Sequence, residues 1–312
     1  PAFTASSTTA QTVIQNTFDQ LTQYQVVDKT LPDGTAYKTV DTEQIVGMLA
    51  ETAKTDGANL TFTLRDGLTY ANGDPIDANV ILEGYQRIYD TKGISSFLLA
   101  MGGGVTSASA FSAPDAKTFV IAQSKPNVLI QKNNVMHNTS ALNPKEIAAH
   151  KTDADPWATG YFKQHLGVGN GPYQLSSYKA GDSITLTAND KYYGTKPSFT
   201  TVILKIVPDP TQRVQLLTKG DVDFATLLPV KQFDSLKANK DLKTLSVPST
   251  HLTMLELNGT IPPFDNPQVR QAIAYAVPYQ SIIDQIFKGQ ASPAKSIVPN
   301  GMPTSDFSSY PY

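Results

Sequence analysis

The chain has 312 residues, of which 40% are hydrophobic and 17% are charged, and its formal net charge is −2. This length and composition suit a globular protein with two or more lobes, and the balanced charge gives no reason to expect nucleic acid or an anionic membrane surface as a partner. The chain contains no cysteine, which excludes disulfides, thiolate metal sites and a cysteine nucleophile.

The first third of the chain mixes helix and strand patterns. Apolar residues at helical spacing predict an amphipathic helix over residues 9–21 and a second one over 42–52. Residues 55–57 predict a hairpin-type turn, and the strict alternation that follows in 59–65 predicts a half-buried strand. Asp77 is typical of the N-cap of a helix that we expect to run to about residue 90.

The rest of the chain continues the mixture. Alternating patterns predict strands at 118–123, 183–187, 201–207, 221–225 and 252–258. Asp209-Pro210 and Asn266-Pro267 each predict the start of a helix, and Gly220 predicts the end of the first of these helices. Because no strict βαβ rhythm occurs, we expect an α/β to mixed α+β fold with more than one lobe.

Few residues resemble a catalytic or metal-binding set. The four histidines are scattered singly, and neither a nucleophile elbow nor a phosphate-binding loop sequence occurs. The glycine-rich run at 167–171 lacks the preceding strand and following helix of a nucleotide site, so we interpret it as a tight chain crossing. Asp221 and Asp223 would share one face of the strand predicted there, either as ordinary turn and strand-edge carboxylates or as an acid pair. We expect no metal and no cofactor.

Five motifs, in order, resemble the peptide/nickel (dipeptide- and oligopeptide-binding) family of solute-binding proteins of ABC importers. They are LTFTLRDG at 60–67 with YANGDPIDANV at 70–80, GNGPY at 169–173, ANDKYYG at 188–194, GDVD at 220–223, and LN at 257–258 followed by PPFDNPQVRQAIAYA at 262–276. Each motif alone is weak, but their order across nearly the whole chain makes the resemblance specific. Pro278-Tyr279 departs from the family, which usually has an Asp-Arg pair there.

The resemblance implies a periplasmic-binding-protein-like, multi-lobed fold with an inserted lobe, present here as a fragment truncated at its C-terminal side. We expect residues 1–40 and 169–261 to form lobe I, 41–168 the inserted lobe Ib, and 262–312 the incomplete start of lobe III. The family binds its ligand between lobes I and III, and a hinge motion closes the cleft.

The resemblance also implies three ligand-contacting segments. Ser6 and Thr8 fall where the family contacts ligand, although a polar N-terminal loop is the alternative. Thr226, Leu227 and Leu228 would form an apolar part of the cleft wall, with plain core packing as the alternative. On the predicted strand 252–258, the candidate residues on one face are Met254, Glu256 and Asn258. Glu256 would receive a cationic ligand group or, alternatively, form an internal salt bridge.

The function implied is capture of an extracellular solute, a peptide or peptide-like compound, and its delivery to the membrane permease of an ABC importer. We expect a monomer without enzymatic activity, located in the periplasm or lipid-anchored on the outer face of the cell membrane. The alternative hypothesis is a hydrolase-type enzyme that uses Asp221 with Asp223, or Glu256.

Overall fold

The computed structural model describes residues 8–127, 129–294, 296–300, 302 and 305. The α-helices are α1 (Thr8–Thr17), α2 (Ala78–Asp90), α3 (Ile94–Gly103), α4 (Leu129–Asn133), α5 (Pro144–His150), α6 (Thr159–Phe162), α7 (Pro210–Lys219), α8 (Val230–Ala238), α9 (Pro267–Ala276) and α10 (Tyr279–Ser281). The strands are β1 (Thr22–Thr30), β2 (Ala36–Gly47), β3 (Ala50–Asp56), β4 (Asn59–Leu64), β5 (Phe111–Ser112), β6 (Thr118–Ala122), β7 (Tyr173–Lys179), β8 (Ser183–Ala188) and β9 (Thr201–Lys205). A π-helical turn at Ile282–Ile286 follows α10.

Within the described residues the strands form three antiparallel sheets. Strands β1 and β2 make a two-stranded ribbon, β3-β4-β6-β5 make a four-stranded sheet, and β7-β8-β9 make a meander. The strands predicted at 59–65, 118–123, 183–187 and 201–207 are confirmed as β4, β6, β8 and β9, with ends that differ by one or two residues. The mixed α/β class predicted from the sequence is confirmed.

The largest core cluster joins the four-stranded sheet to α2. The alternation predicted for β4 places Leu60, Phe62 and Leu64 inside, each almost fully buried. Helix α2 contributes Ile81 and Tyr85 to the same cluster. The strand contributes every second side chain and the helix contributes side chains four residues apart. These two sets of side chains pack together as one apolar layer.

The helix termini agree with the capping residues read from the sequence. Asp77 Oδ1 accepts hydrogen bonds from the backbone N–H groups of Asn79 at 2.9 Å and Val80 at 3.0 Å, so it caps α2. Asp209 caps α7 through the N–H of Gln212 at 2.8 Å. Because these side chains satisfy N–H groups that have no partner inside the helix, they specify where each helix begins.

The prediction of a helix over residues 42–52 is wrong. Strand β2 continues to Gly47 and β3 begins at Ala50. In the ribbon, Ile45 pairs with Tyr24 and Val46 pairs with Gln23, twenty or so residues earlier in the chain. The spacing of the apolar residues is compatible with a helix or a strand, and the segment forms a strand because it pairs with β1.

The crossing predicted at 167–171 is confirmed as a close passage between backbones. The N–H of Gly171 donates to the carbonyl oxygen of Thr17 at 2.9 Å. A Cβ on Gly169 would lie 1.8 Å from that same oxygen, and one on Gly171 would lie 2.8 Å from the backbone nitrogen of Phe18. Only glycine leaves room for the returning chain to pack against the end of α1.

The chain divides into two compact units, Pro1–Ile206 and Val207–Tyr312, which are called unit 1 and unit 2 below. In the described part of unit 2 no residue is in a strand, so the strands predicted at 221–225 and 252–258 are both wrong. A segment with an alternating pattern forms a strand only where a second strand hydrogen-bonds to its backbone N–H and C=O groups. The lobe boundaries near residues 41, 168 and 262 stay predictions, because a division into compact units does not locate them.

Candidate functional site

The candidate residues Thr226, Leu227 and Leu228 lie in the irregular segment between α7 and α8. Leu227 has φ +53°, a left-handed backbone conformation that is uncommon for a branched side chain. Its side chain is 73% exposed, so it is not a core residue, and Thr226 is exposed as well. Leu228 is half-buried.

Arg213 on α7 holds this segment through its guanidinium group. One terminal nitrogen, Nη1, donates to the carbonyl oxygens of Val207 at 2.7 Å and Pro208 at 3.0 Å. The other, Nη2, donates to the carbonyl oxygen of Leu227 at 3.0 Å. A planar group with several fixed donors can tie three carbonyls together in this way, and it fixes the backbone at the left-handed residue.

The candidate residues Met254, Glu256 and Asn258 lie on an irregular segment rather than on the predicted strand. The expected division into an inner and an outer face fails, because Met254 is 51% exposed and its neighbour Leu255 is 66% exposed. Glu256 is exposed, and no ion pair joins it to another described residue. Asn258 closes a turn, because its Oδ1 accepts from Thr260 N at 3.0 Å and Thr260 Oγ1 at 2.8 Å.

The first predicted segment is only partly open to description. Ser6 lies outside the described residues, and Thr8 is the first residue of α1. The structure therefore adds nothing to the prediction that these two residues contact ligand.

The carboxylate pair of the alternative enzyme hypothesis lacks the geometry expected of it. Asp221 and Asp223 are exposed and lie just after α7 in a bend, not on one face of a strand. Among the described residues no group of three or more His, Cys, Asp or Glu side chains could hold a metal ion. In the same part of the chain, no helix has the length and apolar character needed to cross a membrane.

The sequence reasoning missed a buried polar cluster around Asp19, which follows α1. Asp19 is fully buried, and its Oδ2 accepts hydrogen bonds from the hydroxyls of Tyr192 at 3.0 Å and Tyr193 at 2.7 Å. Its backbone N–H donates to Asn170 Oδ1 at 2.9 Å. Asn170 and the two tyrosines belong to the GNGPY and ANDKYYG motifs, so these motifs meet at the end of α1.

The electrostatics of this cluster follow from its burial. Desolvation raises the pKa of Asp19 to about 6, against the lowering effect of the two tyrosine hydrogen bonds. Burial beside this carboxylate raises the pKa of both Tyr192 and Tyr193 as well. A polar side chain directly after the buried Phe18 was the available signal, but only the fold shows what surrounds it.

Comparison with known proteins places these motifs in a family. Residues 44–312 match the family described as "Bacterial extracellular solute-binding proteins, family 5 Middle". The chain belongs to this family. The solute-binding, extracytoplasmic family inferred from the motifs is therefore confirmed.

Curated relatives carry names of the same kind. The chain is 30% identical to the "Probable D,D-dipeptide-binding periplasmic protein DdpA" of Escherichia coli K12 over 80% of its own length and 46% of the relative's. It is 25% identical to the "Oligopeptide-binding protein OppA" of Bacillus subtilis 168 over 93% of its own length and 52% of the relative's. The chain thus spans about half the length of these relatives.

Solved structures show the fold. The DppA protein of Helicobacter pylori, an ABC transporter-associated periplasmic binding protein in complex with the peptide STSA, matches with a TM-score of 0.76 at 20% identity, over 92% of this chain and 56% of that one. The binding protein AgaA of A. tumefaciens R10 in complex with agropinic acid matches with a TM-score of 0.72 at 26% identity, over 95% of this chain and 55% of that one. The predicted periplasmic-binding-protein-like fold is confirmed.

Proposed function

We propose that this chain forms part of a protein that binds an extracellular solute and delivers it to the permease of an ABC importer. The family match over residues 44–312 is the observation that carries the proposal. The association with an ABC transporter printed for the H. pylori protein supports the permease as partner. The protein acts outside the cytoplasm, as a monomer in this proposal.

The solute is a peptide or a compound of peptide-like polarity. Relatives are named for D,D-dipeptides, oligopeptides, glutathione and nickel, and a structural neighbour holds agropinic acid. Peptides and glutathione share an ammonium, a carboxylate and amide groups. We favour this class over bare nickel because no described cluster of metal-ligating side chains is present.

The protein works without catalysis. Its relatives are named as binding proteins, and the carboxylates of the alternative hypothesis are exposed and not held on one strand face. A general acid or base needs a pKa adjusted by its surroundings and a fixed position beside the substrate. Asp221 and Asp223 lack the second of these requirements, and so does Glu256 on its irregular, exposed segment.

The ligand contacts are assigned to Ser6 and Thr8, to the segment 226–228, and to Met254, Glu256 and Asn258. The exposed side chains of Thr226, Leu227 and Glu256 are accessible in unit 2, as ligand contacts must be. Arg213 supports the assignment of 226–228, because it ties the carbonyl of the left-handed residue Leu227 to those of Val207 and Pro208. A left-handed branched residue is a costly arrangement that persists where position matters.

Two measurements on the same sample test this function. Thermal unfolding is followed against a panel of di- and tripeptides, glutathione, opines and nickel chelates, and the same mixtures are assayed for product by mass spectrometry. A binding protein is stabilised by RT ln(1 + [L]/Kd) and returns its ligand unchanged. Product formation, or a melting temperature that no solute raises, contradicts the proposal.

A further inference from the structure

A cleft of about 510 Å³ lies in unit 1, apart from every residue assigned to the ligand above. It forms where the C-terminal end of α2 faces the turn before α6, and its lining residues are Tyr89, Asp90, Thr91, Lys92, Asp155, Pro156, Trp157 and Thr159. Small-molecule sites in proteins occupy volumes of about 300–1,000 Å³. The cleft is therefore large enough for a small organic molecule.

The apolar part of the cleft is aromatic and held in place. Trp157, the single tryptophan of the chain, is half-buried, and its indole N–H donates to Asp90 Oδ2 at 3.0 Å. The hydroxyl of Tyr89 donates to the carbonyl oxygen of Val105. Both ring systems are thus anchored by their polar ends, and Tyr89 also packs against the ring of Phe111 with centroids 5.4 Å apart. Because both residues line the cleft, they can present aromatic surface to a cation or an apolar group.

The charges at the cleft differ in their freedom to bind. Asp155 accepts from the N–H groups of Thr159 at 2.8 Å and Gly160 at 2.7 Å, which occupies both of its oxygens. Asp90 is exposed and holds only the indole on one oxygen, so it can accept further donors. The hydrogen bonds from the N–H groups of Gly160 and Thr159 lower the pKa of Asp155, and the charge of Arg87 adds to this effect. Lys92 is exposed and lines the same cleft.

Two backbone outliers flank the cleft. Lys92 has φ +51° and Ala158 has φ +50°, although neither residue is glycine. Such residues cost free energy and are concentrated at ligand clamps and active sites. Their presence on both sides of one cleft, directly after Thr91 and directly after Trp157, is an observation independent of the charges.

We propose that this cleft binds a small zwitterion that carries an ammonium group and a carboxylate. The ammonium group lies against Trp157 and Tyr89 and is neutralised by Asp90, and the carboxylate lies towards Lys92. The negative end of the α2 dipole further favours the cationic group. The lining carries the carboxylates of Asp90 and Asp155 and the basic residue Lys92. Because both oxygens of Asp155 already accept backbone N–H groups, Asp90 and Lys92 offer a ligand one charge of each sign, which complements separated opposite charges better than a single charge.

Trp157 is its own reporter, because no other tryptophan contributes to the emission of the chain. The probe is N,N,N-trimethylglycine, titrated into the 312-residue chain with tryptophan fluorescence and isothermal calorimetry as readouts. Tetramethylammonium, added as the chloride, tests the cationic group alone, and acetate, added as the sodium salt, tests the carboxylate alone. We expect a saturable change with trimethylglycine, an affinity at least about tenfold lower for tetramethylammonium, and no response to acetate.

Variants assign the response to the two charged residues. Asp90→Asn can still accept the indole N–H but has no charge, and Lys92→Gln keeps the length without the ammonium; we expect each to weaken the probe by about tenfold. Asp153→Asn, an exposed carboxylate outside the lining, is the matched control and leaves affinity unchanged. Far-UV circular dichroism and the melting temperature verify folding of each variant.

Three outcomes overturn the inference. The first is the absence of any saturable signal up to about 50 mM probe, an affinity too weak for a site. The second is equal affinity for tetramethylammonium and trimethylglycine, which removes the role of Lys92. The third is wild-type affinity in Asp90→Asn. None of these bears on the proposed solute-binding function, which uses different residues and is tested with a different panel.

Discussion

Asp19 is a fully buried carboxyl group with two tyrosine donors on one oxygen, while the other oxygen has no hydrogen-bond partner among the described residues. Burying an ionised carboxylate with half of its acceptor sites unused is costly. The cluster therefore fixes the relative positions of the segments that it joins, and it lowers the stability of the fold near neutral pH. It joins the end of α1 to both the glycine crossing and Tyr192-Tyr193.

Because the pKa of Asp19 is raised in the folded protein, its contribution to stability should increase as the pH falls. The folded-state pKa of about 6 exceeds the ordinary value of 3.8, so the folded protein binds the proton more tightly than the unfolded chain. Stability contributed by Asp19 is thus fully present below pH 3.8 and is lost as the pH rises through 6. Lowering the pH from 7.5 to 5 should therefore raise the free energy of unfolding by an amount on the order of 1 kcal/mol.

Urea unfolding of the wild type and Asp19→Asn at those two pH values measures this gain. The variant should lack it, because its side chain does not titrate. His137, whose pKa burial lowers, acts in the opposite direction in the same window, so the quantity of interest is the difference between the two proteins. An identical pH response in both would contradict the assignment to Asp19.

The cap of α2 yields a smaller, local effect. Asp77→Ala leaves two N–H groups at the start of the helix without their acceptor and should lower the free energy of unfolding by about 1 kcal/mol. Asp77→Ser keeps a capping oxygen and should recover most of the loss. Asp153→Ala, an exposed carboxylate in the same unit, serves as the control in the same chemical unfolding experiment.

At the scale of elements, the contact between the crossing and α1 organises unit 1. Ile14 of α1 and Phe18, the residue directly after this helix, belong to one core cluster. Val13 of α1 belongs to another, which also contains Tyr173 from β7. Because α1 contributes to both clusters, the contact between the glycine crossing and the C-terminal end of α1 affects the packing of both clusters. A change of backbone spacing there should be felt beyond the crossing itself.

Gly169→Ala tests this contact. The added Cβ would meet the backbone oxygen of Thr17 at 1.8 Å, which side-chain rearrangement cannot relieve. We expect a loss of about 1–3 kcal/mol in the free energy of unfolding, the usual range for overpacking. Gly259→Ala, where the nearest atom is Arg270 Nη1 at 3.7 Å, should change stability far less. Equal losses of stability for the two substitutions would mean that the backbone at the crossing can shift to accommodate the added Cβ.

The two units of the whole molecule differ in how they are built. The described part of unit 1 contains all three sheets and the three buried clusters, whereas unit 2 is helical and irregular in its described part and has Leu236 as its one buried apolar residue there. The chain spans about half the length of its relatives, 46% in the case of DdpA. Most residues assigned to the ligand belong to unit 2.

Binding of a cationic ligand should depend on Glu256 if the proposed function holds. Glu256→Gln keeps the shape of an exposed side chain and removes the charge, so affinity for a ligand with an ammonium or guanidinium group should fall by about tenfold. The melting temperature of the free protein should hardly change. Calorimetry with a ligand found in the solute panel measures the effect, and Glu51→Gln, an exposed carboxylate in unit 1, is the control. Unchanged affinity would remove Glu256 from the site.

Local order and family membership could be read from the residues alone, because the signals concerned act over a few neighbours. The caps at Asp77 and Asp209, the alternation in β4 and the glycine crossing are of this kind. Tertiary structure decided the rest. Residues 42–47 became strand through pairing with β1, and 252–258 stayed irregular because no described strand takes up its backbone groups. Asp19 met its partners across about 150 to 174 residues of sequence, a distance that no local pattern encodes.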